Sequence, residues 1–342
     1  MNEHLLDIRN LKTWYRTYQG YAQVVDGVNL TIDAGKKIGI VGESGCGKTT
    51  TMKSVLRVLD ERKAYLPEGE ILFKNQNILK MRETELQQIR RKNISMISQE
   101  PSAALNPVFT VGQQIFDVIS YSKQDDTAKN KKELTDIAIK AIRDVFIPDP
   151  ERILECYPHQ LSGGMKQRIC IAMALVTPRE LLIADEPGTA LDVTIQDQIH
   201  RLLRALVDEK QTALIMITHS LGVVRELVDQ IYVMYAGNIV EVATTNELFK
   251  NPLHPYTRGL MDCVPRLSGG GISAGIYGYV PDYVHPTPGC RFSPRCPYVK
   301  EICRVQKPLM LEVSEGHTVA CFRYTDSFTE QHRQEESIGE RA

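Results

Sequence analysis

The chain has 342 residues, of which 42% are hydrophobic and 24% charged, as expected for a soluble globular protein of one large domain or two. Its 41 Lys and Arg nearly balance its 42 Asp and Glu, so the formal net charge of -1 offers no global positive field to a nucleic-acid backbone. No uninterrupted apolar run approaches the roughly 18 residues of a membrane-spanning helix. The first ten residues do not resemble a secretory signal, which predicts a cytoplasmic chain.

The first predicted elements surround a glycine-rich loop. Apolar and polar residues alternate around Tyr15 and again over residues 25–32, a pattern typical of antiparallel strands. Residues 37–41, which are apolar after Lys37, are predicted to form a buried strand. It leads directly into the loop at residues 42–49, and residues 50–59 then have helical periodicity. The predicted order is therefore strand, glycine loop, helix.

The middle of the chain is predicted to be mostly helical from residue 83 to residue 176, with a polar surface stretch at residues 122–132. Two apolar runs follow, at residues 181–184 and 213–217, and a helical segment at residues 194–209 separates them. Strands that alternate with helices indicate an α/β fold with a largely parallel sheet.

The pattern changes near residue 255, where we place a domain boundary. Loops rich in Pro and Gly follow, including the consecutive Gly269, Gly270 and Gly271, and the last fifteen or so residues are polar. We expect that final segment to be frayed.

The octapeptide at residues 42–49 fits the pattern G-x-x-x-x-G-K-[ST] in the strand-loop-helix context that this pattern requires. Backbone N–H groups of such a loop converge on nucleotide phosphates, Lys48 adds a positive charge, and the Thr49 hydroxyl can bind Mg²⁺. The predicted nucleotide-binding residues here are Gly42, Ser44, Gly45, Cys46, Gly47, Lys48, Thr49 and Thr50.

A second acidic element follows the apolar run at residues 181–184. Asp185 at the end of this predicted strand can hold Mg²⁺, and the adjacent Glu186 can orient or deprotonate an attacking water. Together with the phosphate loop, these carboxylates predict a nucleotide triphosphatase.

The segment Leu-Ser-Gly-Gly-Met-Lys-Gln-Arg at residues 161–168 resembles the signature of the ATP-binding cassette (ABC) family. Ser162, Gly163 and Gly164 open a helix whose backbone donors and hydroxyl can meet a γ-phosphate. The resemblance implies that this phosphate belongs to nucleotide held by the opposite cassette of a dimer. The usual glutamine at the fifth signature position is Met165 here.

The resemblance covers about residues 5–250 and implies further roles, position by position. An aromatic residue would stack on adenine, for which Tyr15 is the first candidate and Trp14 and Tyr18 are the alternatives. The other roles implied are Gln99 at Mg²⁺ and the attacking water, the interface loop Ala190-Leu191-Asp192 after a less usual Gly188, and the switch histidine His219 at the γ-phosphate.

Four of the eight cysteines fall in one short region with five, six and seventeen intervening residues, namely Cys290, Cys296, Cys303 and Cys321. The segments around residues 251–257, 288–292 and 295–297 resemble the C-terminal extension of the ATPase subunits of oligopeptide and dipeptide importers. This resemblance implies a structural 4Fe-4S cluster held by the four cysteines. Four thiolates also suit tetrahedral zinc, and free thiols are the third possibility.

The predicted architecture is an α/β phosphate-loop core of the ABC type, with a RecA-like parallel sheet and an antiparallel β subdomain. A helical subdomain and a small, loop-rich, metal-binding extension complete it. The predicted divisions are residues 1–98 with 180–254 for the ATP-binding core, 99–179 for the helical subdomain, 255–326 for the extension and 327–342 for a flexible tail.

The function that the resemblance implies is that of a transport ATPase at the cytoplasmic face of the membrane. It would use ATP, Mg²⁺ and the 4Fe-4S cluster, pair with a second cassette as a heterodimer or homodimer, and drive two permease subunits served by an extracytoplasmic binding protein. Peptides are the first substrate expected, with nickel or oligosaccharides as alternatives. A cassette of DNA repair or translation is disfavoured because the chain has no sustained heptads and no basic patch. A small-molecule kinase does not explain the signature.

Overall fold

The computed structural model describes residues 4–122, 130–189, 191–263 and 275–325. Most of the predicted polar stretch at 122–132, the three glycines at 269–271, Ala190 and the predicted tail lie outside these residues. The chain divides into two compact units: unit 1 comprises Met1–Leu5, Ile32–Lys37 and Lys80–Ile217, and unit 2 comprises the remainder. Within the described residues, none of the helices combines the length and apolar composition that a bilayer span requires.

Unit 2 contains an antiparallel sheet built mainly from the first eighty residues. Its strands are β1 (Leu6–Thr17), β2 (Gly20–Ile32), β4 (Ala64–Tyr65), β5 (Glu70–Phe73) and β6 (Gln76–Asn77). The order is β2-β1-β5-β6, and β4 pairs with the second half of β1. Alternation along β1 buries Leu6 and Ile8, and after Asn10, whose φ is +46°, it resumes in the other register with Leu11 and Thr13. The antiparallel strands predicted here are present.

A second sheet of unit 2 holds the strand that precedes the glycine loop. Its strands are β3 (Lys37–Val41), β10 (Gln230–Tyr235), β11 (Asn238–Thr244), β12 (Leu311–Ser314) and β13 (His317–Val319). β3 and β10 run parallel, whereas β11, β13 and β12 add to β10 in antiparallel pairs. The helices of unit 2 are α1 (Lys48–Val55), α9 (Leu221–Leu227), α10 (Thr245–Lys250), α11 (Pro255–Asp262) and α12 (Glu301–Val305).

Unit 1 contains three parallel strands, β7 (Ile94–Ile97), β8 (Leu181–Asp185) and β9 (Ala213–Thr218). β8 pairs with both of the others and is buried along its whole length, which explains its continuous apolar sequence. The helix α8 (Val193–Lys210) follows β8 and precedes β9, as the sequence predicts.

The other helices of unit 1 lie mostly between β7 and β8. They are α2 (Glu83–Lys92), α3 (Pro101–Ala104), α4 (Val111–Ser122), α5 (Lys131–Asp144), α6 (Pro150–Glu155) and α7 (Gly163–Leu175). Buried Gln114 of α4 donates to the carbonyls of Asn106 and Phe109 and accepts from Asn106 N–H. This side chain fixes the irregular loop between α3 and α4.

Three secondary-structure expectations were incomplete. The region 83–176 is not entirely helical, because it contains β7 as the outer partner of β8. The helix after the glycine loop begins at Lys48 and ends at Val55, short of residue 59. The segment after residue 255 includes β12 and β13, which extend the sheet of β11. The four predicted divisions of the chain stay a prediction.

Candidate active site

The glycine-rich loop of unit 2 joins β3 to α1. Gly47 has φ +108°, and a Cβ built on it would lie 2.8 Å from the Val24 carbonyl oxygen, so any larger residue would be strained and would displace the loop. α1 begins at Lys48, and its positive end therefore faces the loop. Converging backbone donors at a helix N-terminus are suited to an anion such as a phosphate.

The side chain of Lys48 lies back across this loop. Its Nζ donates to the carbonyl oxygens of Gly42 at 2.7 Å and Glu43 at 3.0 Å, and the residue is buried. These contacts hold the ammonium group where it can exchange a carbonyl for a phosphate oxygen. Burial raises the pKa of the neighbouring Cys46 thiol, so this cysteine acts as a neutral packing residue.

The three candidate adenine-stacking aromatics have different environments in unit 2. The Tyr15 hydroxyl lies 3.4 Å from Thr50 Oγ1, in the helix that follows the phosphate loop. The Trp14 ring instead lies 6.2 Å from the ring of Tyr21, and Tyr18 is fully exposed on the turn between β1 and β2. Tyr15 therefore contacts the helix that follows the phosphate loop, and its role toward adenine stays a prediction.

In unit 1, the carboxyl ends of β7 and β8 meet at one edge of the sheet because the strands are parallel. This brings Gln99, two residues beyond β7, to Glu186: Gln99 Nε2 donates to Glu186 Oε2 at 3.3 Å. Glu186 has φ +47° and its N–H donates to Ile217 O at 2.9 Å, so its backbone is fixed in a left-handed turn. The preceding residue, Asp185, is buried.

Thr189 is a member of this cluster that sequence reasoning missed. Its Oγ1 donates to the same carboxylate oxygen of Glu186, at 3.2 Å, and lies 3.3 Å from the Glu186 carbonyl oxygen. The signal was available in the sequence, since a hydroxyl three residues after an acidic residue in a turn can reach back to it. With Gln99, this hydroxyl sets the direction of the Glu186 carboxylate.

Two helix N-termini in unit 1 carry the signature and the interface-loop residue. Ser162 is the N-cap of α7, and its Oγ accepts from Met165 N–H at 3.3 Å. Asp192 is the N-cap of α8, and its Oδ1 accepts from Ile195 N–H at 3.0 Å. Both caps are exposed, so both helix ends are open to a ligand or a partner.

The two signature glycines allow α7 and the start of α8 to approach closely. A Cβ on Gly163 would lie 3.1 Å from Leu191 Cδ2, and one on Gly164 would lie 3.0 Å from Ile195 Cγ2. The structure thus brings the signature next to the described part of the interface loop within unit 1. His219 belongs to unit 2 and is exposed between β9 and α9.

The four clustered cysteines line one cavity of about 20 Å³ in unit 2, enclosed partly by Phe292. Cys290 N–H donates to the Cys303 carbonyl oxygen at 2.8 Å, so a backbone bond joins two of the four segments. The thiols are free and partly buried. The fold thus brings the four predicted cysteines to the wall of one cavity.

Burial also favours the protonated form of these thiols. Burial, with a smaller contribution from neighbouring thiols, raises the pKa of Cys290 to about 12 and that of Cys321 to about 11. A bound cationic metal centre would remove this electrostatic cost because it stabilises thiolates. Within the described part of the chain, however, no set of three or more His, Cys, Asp or Glu is arranged to hold a metal ion.

A buried polar cluster in unit 2 was also missed by sequence reasoning. The Glu241 carboxylate, fully buried in β11, accepts from His317 Nε2 at 2.8 Å, Leu253 N–H at 2.7 Å and His254 N–H at 2.8 Å. A buried carboxylate needs such partners. Glu241 therefore joins β11 to β13 and to the start of α11.

Comparison with known protein families places this chain clearly. The family described as ABC transporter matches residues 25–189, and the one described as oligopeptide/dipeptide transporter, C-terminal region, matches residues 240–303. A probable peptide ABC transporter ATP-binding protein of Sinorhizobium fredii is 46% identical over 93% of this chain and 95% of its own length. The dipeptide transport ATP-binding protein DppD of Bacillus subtilis is 43% identical over 94% and 95%, respectively.

Solved structures agree with this relationship. A dimeric ATP-binding cassette in a post-hydrolysis state with ADP and Pi is 25% identical, covers 70% of this chain and 98% of its own, and has a TM-score of 0.63. The protein cbiO1 of Clostridium perfringens, described as part of the ABC transporter complex cbiONQ, is 26% identical, covers 73% of this chain and 92% of its own, and has a TM-score of 0.60. These confirm the predicted ABC-type α/β core. The chain belongs to the ABC transporter ATP-binding proteins, which are ATPases, and carries the C-terminal region of the oligopeptide/dipeptide transporters.

Proposed function

We propose that this chain hydrolyses ATP to drive peptide uptake, at the cytoplasmic face of a membrane, as one of two cassettes bound to two permease subunits. The observation that carries the hydrolytic part is the Glu186 carboxylate, oriented by Gln99 and Thr189 at the end of β8. The peptide part is supported by the match of residues 240–303 to the oligopeptide/dipeptide C-terminal region and by the relatives' names.

Residues of unit 2 are proposed to bind the nucleotide. Backbone donors of residues 42–50 bind the phosphates, Lys48 exchanges its carbonyl partners for phosphate oxygens, and Tyr15 stacks on adenine. His219 is proposed to contact the γ-phosphate. Each of these groups acts by binding and charge neutralisation, which is the main source of catalysis in phosphoryl transfer.

Residues of unit 1 are proposed to act on the attacking water. Glu186 accepts a proton from the water or orients it, and Gln99 and Thr189 hold the carboxylate in one direction. Gln99 and Asp185 are the unit 1 residues proposed to bind Mg²⁺, which would supply charge neutralisation for the nucleotide phosphates, and Thr49 is the ligand proposed in unit 2.

The signature residues Ser162, Gly163 and Gly164, with Asp192, are proposed to serve the second cassette of a dimer. Ser162 and Asp192 cap exposed helix ends, which supports an approach of partner-held nucleotide to the backbone donors there. Such a site explains why ATP would close the dimer. Closure would then move the permeases.

We also propose that Cys290, Cys296, Cys303 and Cys321 hold a 4Fe-4S cluster, with zinc as the alternative. The cavity that all four cysteines line supports this proposal. The group would supply cross-links between segments that contain little regular structure, and so would stabilise the extension.

The transport proposal is tested by measuring uptake of a radiolabelled dipeptide into cells that express the chain with its permeases and binding protein. Uptake should require ATP and be lost in Glu186→Gln. Uptake of nickel or of an oligosaccharide instead of the dipeptide would contradict the peptide substrate but leave the proposed ATPase role unchanged. Association with nucleic acid or ribosomes, without permeases, would contradict the transport role.

The cluster proposal is tested on the chain purified without oxygen, by its iron, acid-labile sulfide and zinc contents. About four irons and four sulfides per chain are expected for a 4Fe-4S cluster, and they should be lost in Cys296→Ser but retained in the control Cys156→Ser, whose cysteine lies outside the cavity. One zinc per chain would show that the four cysteines bind zinc instead of a cluster. Absence of all metal would contradict both forms of the proposal.

A further inference from the structure

Three side chains that follow residue 254 make hydrogen bonds to the phosphate loop, all within unit 2. The Tyr256 hydroxyl accepts from Glu43 N–H at 2.9 Å, and Arg295 Nη1 donates to Glu43 Oε2 at 2.8 Å. The Tyr283 hydroxyl donates to the Gly45 carbonyl oxygen at 2.9 Å. The described part of the C-terminal extension thus contacts the backbone and a side chain of the loop proposed to bind ATP.

The position of Tyr256 is fixed by its surroundings. It is fully buried, and its ring lies 4.6 Å from the ring of Tyr235 and 5.5 Å from that of Phe292. Burial raises the pKa of the phenol, so the hydroxyl stays protonated. At the start of α11, Tyr256 N–H also donates to His254 Nδ1 at 3.0 Å. These contacts fix the side chain that places the hydroxyl against Glu43 N–H.

Arg295 is equally constrained. Its side chain is 6% exposed, its Nε donates to the Tyr277 carbonyl oxygen at 3.1 Å, and its Nη2 donates to the Ile276 carbonyl oxygen at 3.0 Å. Glu43 supplies a carboxylate to this guanidinium. Removing one partner of such a poorly hydrated ion pair is costly, because the other charge loses its compensation.

Glu43 links the extension to Lys48. Its N–H is held by Tyr256 and its carboxylate by Arg295, while its carbonyl oxygen accepts from Lys48 Nζ at 3.0 Å. A shift of Glu43 would therefore move both the loop backbone and the phosphate-binding ammonium group. Preorganised donors bind an anion more tightly than mobile ones, because less order must be imposed on binding.

We propose that Tyr256 and Arg295 are positioning residues of the nucleotide site, which preorganise the phosphate loop through Glu43. The extension is thereby a part of the ATP-binding apparatus as well as a separate structural element. This inference rests on ATP binding at residues 42–49.

The test measures the dissociation constant of Mg-ATP by calorimetry on the full-length chain, well below the melting temperature of every variant. Tyr256→Phe removes one hydroxyl and is expected to weaken ATP binding about fivefold, the range of one hydrogen bond. Glu43→Gln and Arg295→Gln are each expected to weaken it about tenfold. The double variant Glu43→Gln/Arg295→Gln should bind ATP no more weakly than Arg295→Gln alone, because both changes remove the same ion pair.

Glu43→Gln leaves the carbonyl contacts of Arg295 intact, so it tests the proposal even where Arg295→Gln fails to fold. Lys307→Gln is the matched control: Lys307 Nζ lies 3.0 Å from Asp26 Oδ2, an ion pair between the extension and β2 that does not involve the phosphate loop. It should bind ATP as the wild type does.

Wild-type affinity in both Tyr256→Phe and Glu43→Gln would overturn the positioning role, as would an equal loss in Lys307→Gln. Absence of ATP binding by the wild-type chain would refute the nucleotide site itself, and so is distinguishable from failure of this inference.

Discussion

A fall in pH is expected to destabilise this protein through His254, the N-cap of α11. His254 is almost completely buried, its Nδ1 accepts from Tyr256 N–H at 3.0 Å, and its ring lies 5.6 Å from that of Phe292. Burial lowers its pKa from the ordinary 6.5 to about 3, because the charged imidazolium would lose its hydration. A proton would also remove the acceptor that Nδ1 provides.

The sign and size of the effect follow from proton linkage. Above pH 6.5 the imidazole is neutral in both states, and its contribution to stability is fully present. Between pH 6.5 and about 3, the unfolded chain binds a proton at His254 that the folded chain does not, so the free energy of unfolding falls with pH. At about 1.4 kcal/mol per unit of pH difference, the loss between pH 7 and pH 5 is about 2 kcal/mol.

The assay compares urea unfolding of the wild type and of His254→Asn at pH 7 and pH 5. Asparagine retains an oxygen acceptor for the Tyr256 N–H and does not titrate. The wild type should lose about 2 kcal/mol more than the variant on acidification, since other titrating groups act in both proteins and cancel in the difference. Equal losses in the two proteins would refute this account of His254.

Three further substitutions test separate parts of the site. Glu186→Gln should lower ATP turnover about 10²- to 10⁴-fold without changing ATP affinity, because it removes the proposed base; phosphate release measures this, and a loss below tenfold would contradict it. Gly47→Ala should abolish ATP binding in calorimetry, because φ is +108° and the new Cβ would meet Val24 O at 2.8 Å; affinity near that of the wild type would disprove the steric argument. Asp192→Ala removes the acceptor for Ile195 N–H and should destabilise unit 1 by about 1 kcal/mol; an unchanged thermal midpoint would count against the cap.

The phosphate loop could be predicted from sequence because its determinants are consecutive residues between a strand and a helix. The Gln99–Glu186 contact was harder to predict from sequence, since 87 residues separate the two. It depends on β7, a strand of four residues inside a region of helical periodicity. Pairing with β8 decides its conformation, and local pattern does not encode that pairing.

The contacts of the extension with the phosphate loop were not predictable from sequence at all. Tyr256 and Arg295 lie in segments that resemble the peptide-importer extension, yet 213 and 252 residues separate them from Glu43. The Glu241 cluster was equally unpredictable from sequence, because 76 residues separate His317 from Glu241. Such contacts follow from tertiary packing, whereas the four cysteines were visible as a set because their spacing is short.

The position of β13 has a consequence for the newly made chain. β11 is complete at Thr244, but its antiparallel partner β13 lies at His317–Val319, near the end of the described residues. Until that segment leaves the ribosome, one edge of β11 lacks its strand and Glu241 lacks the imidazole of His317. Unpaired strand edges favour association with other chains. Ribosomes that stall between these two strands should therefore release fragments with a strong tendency to aggregate.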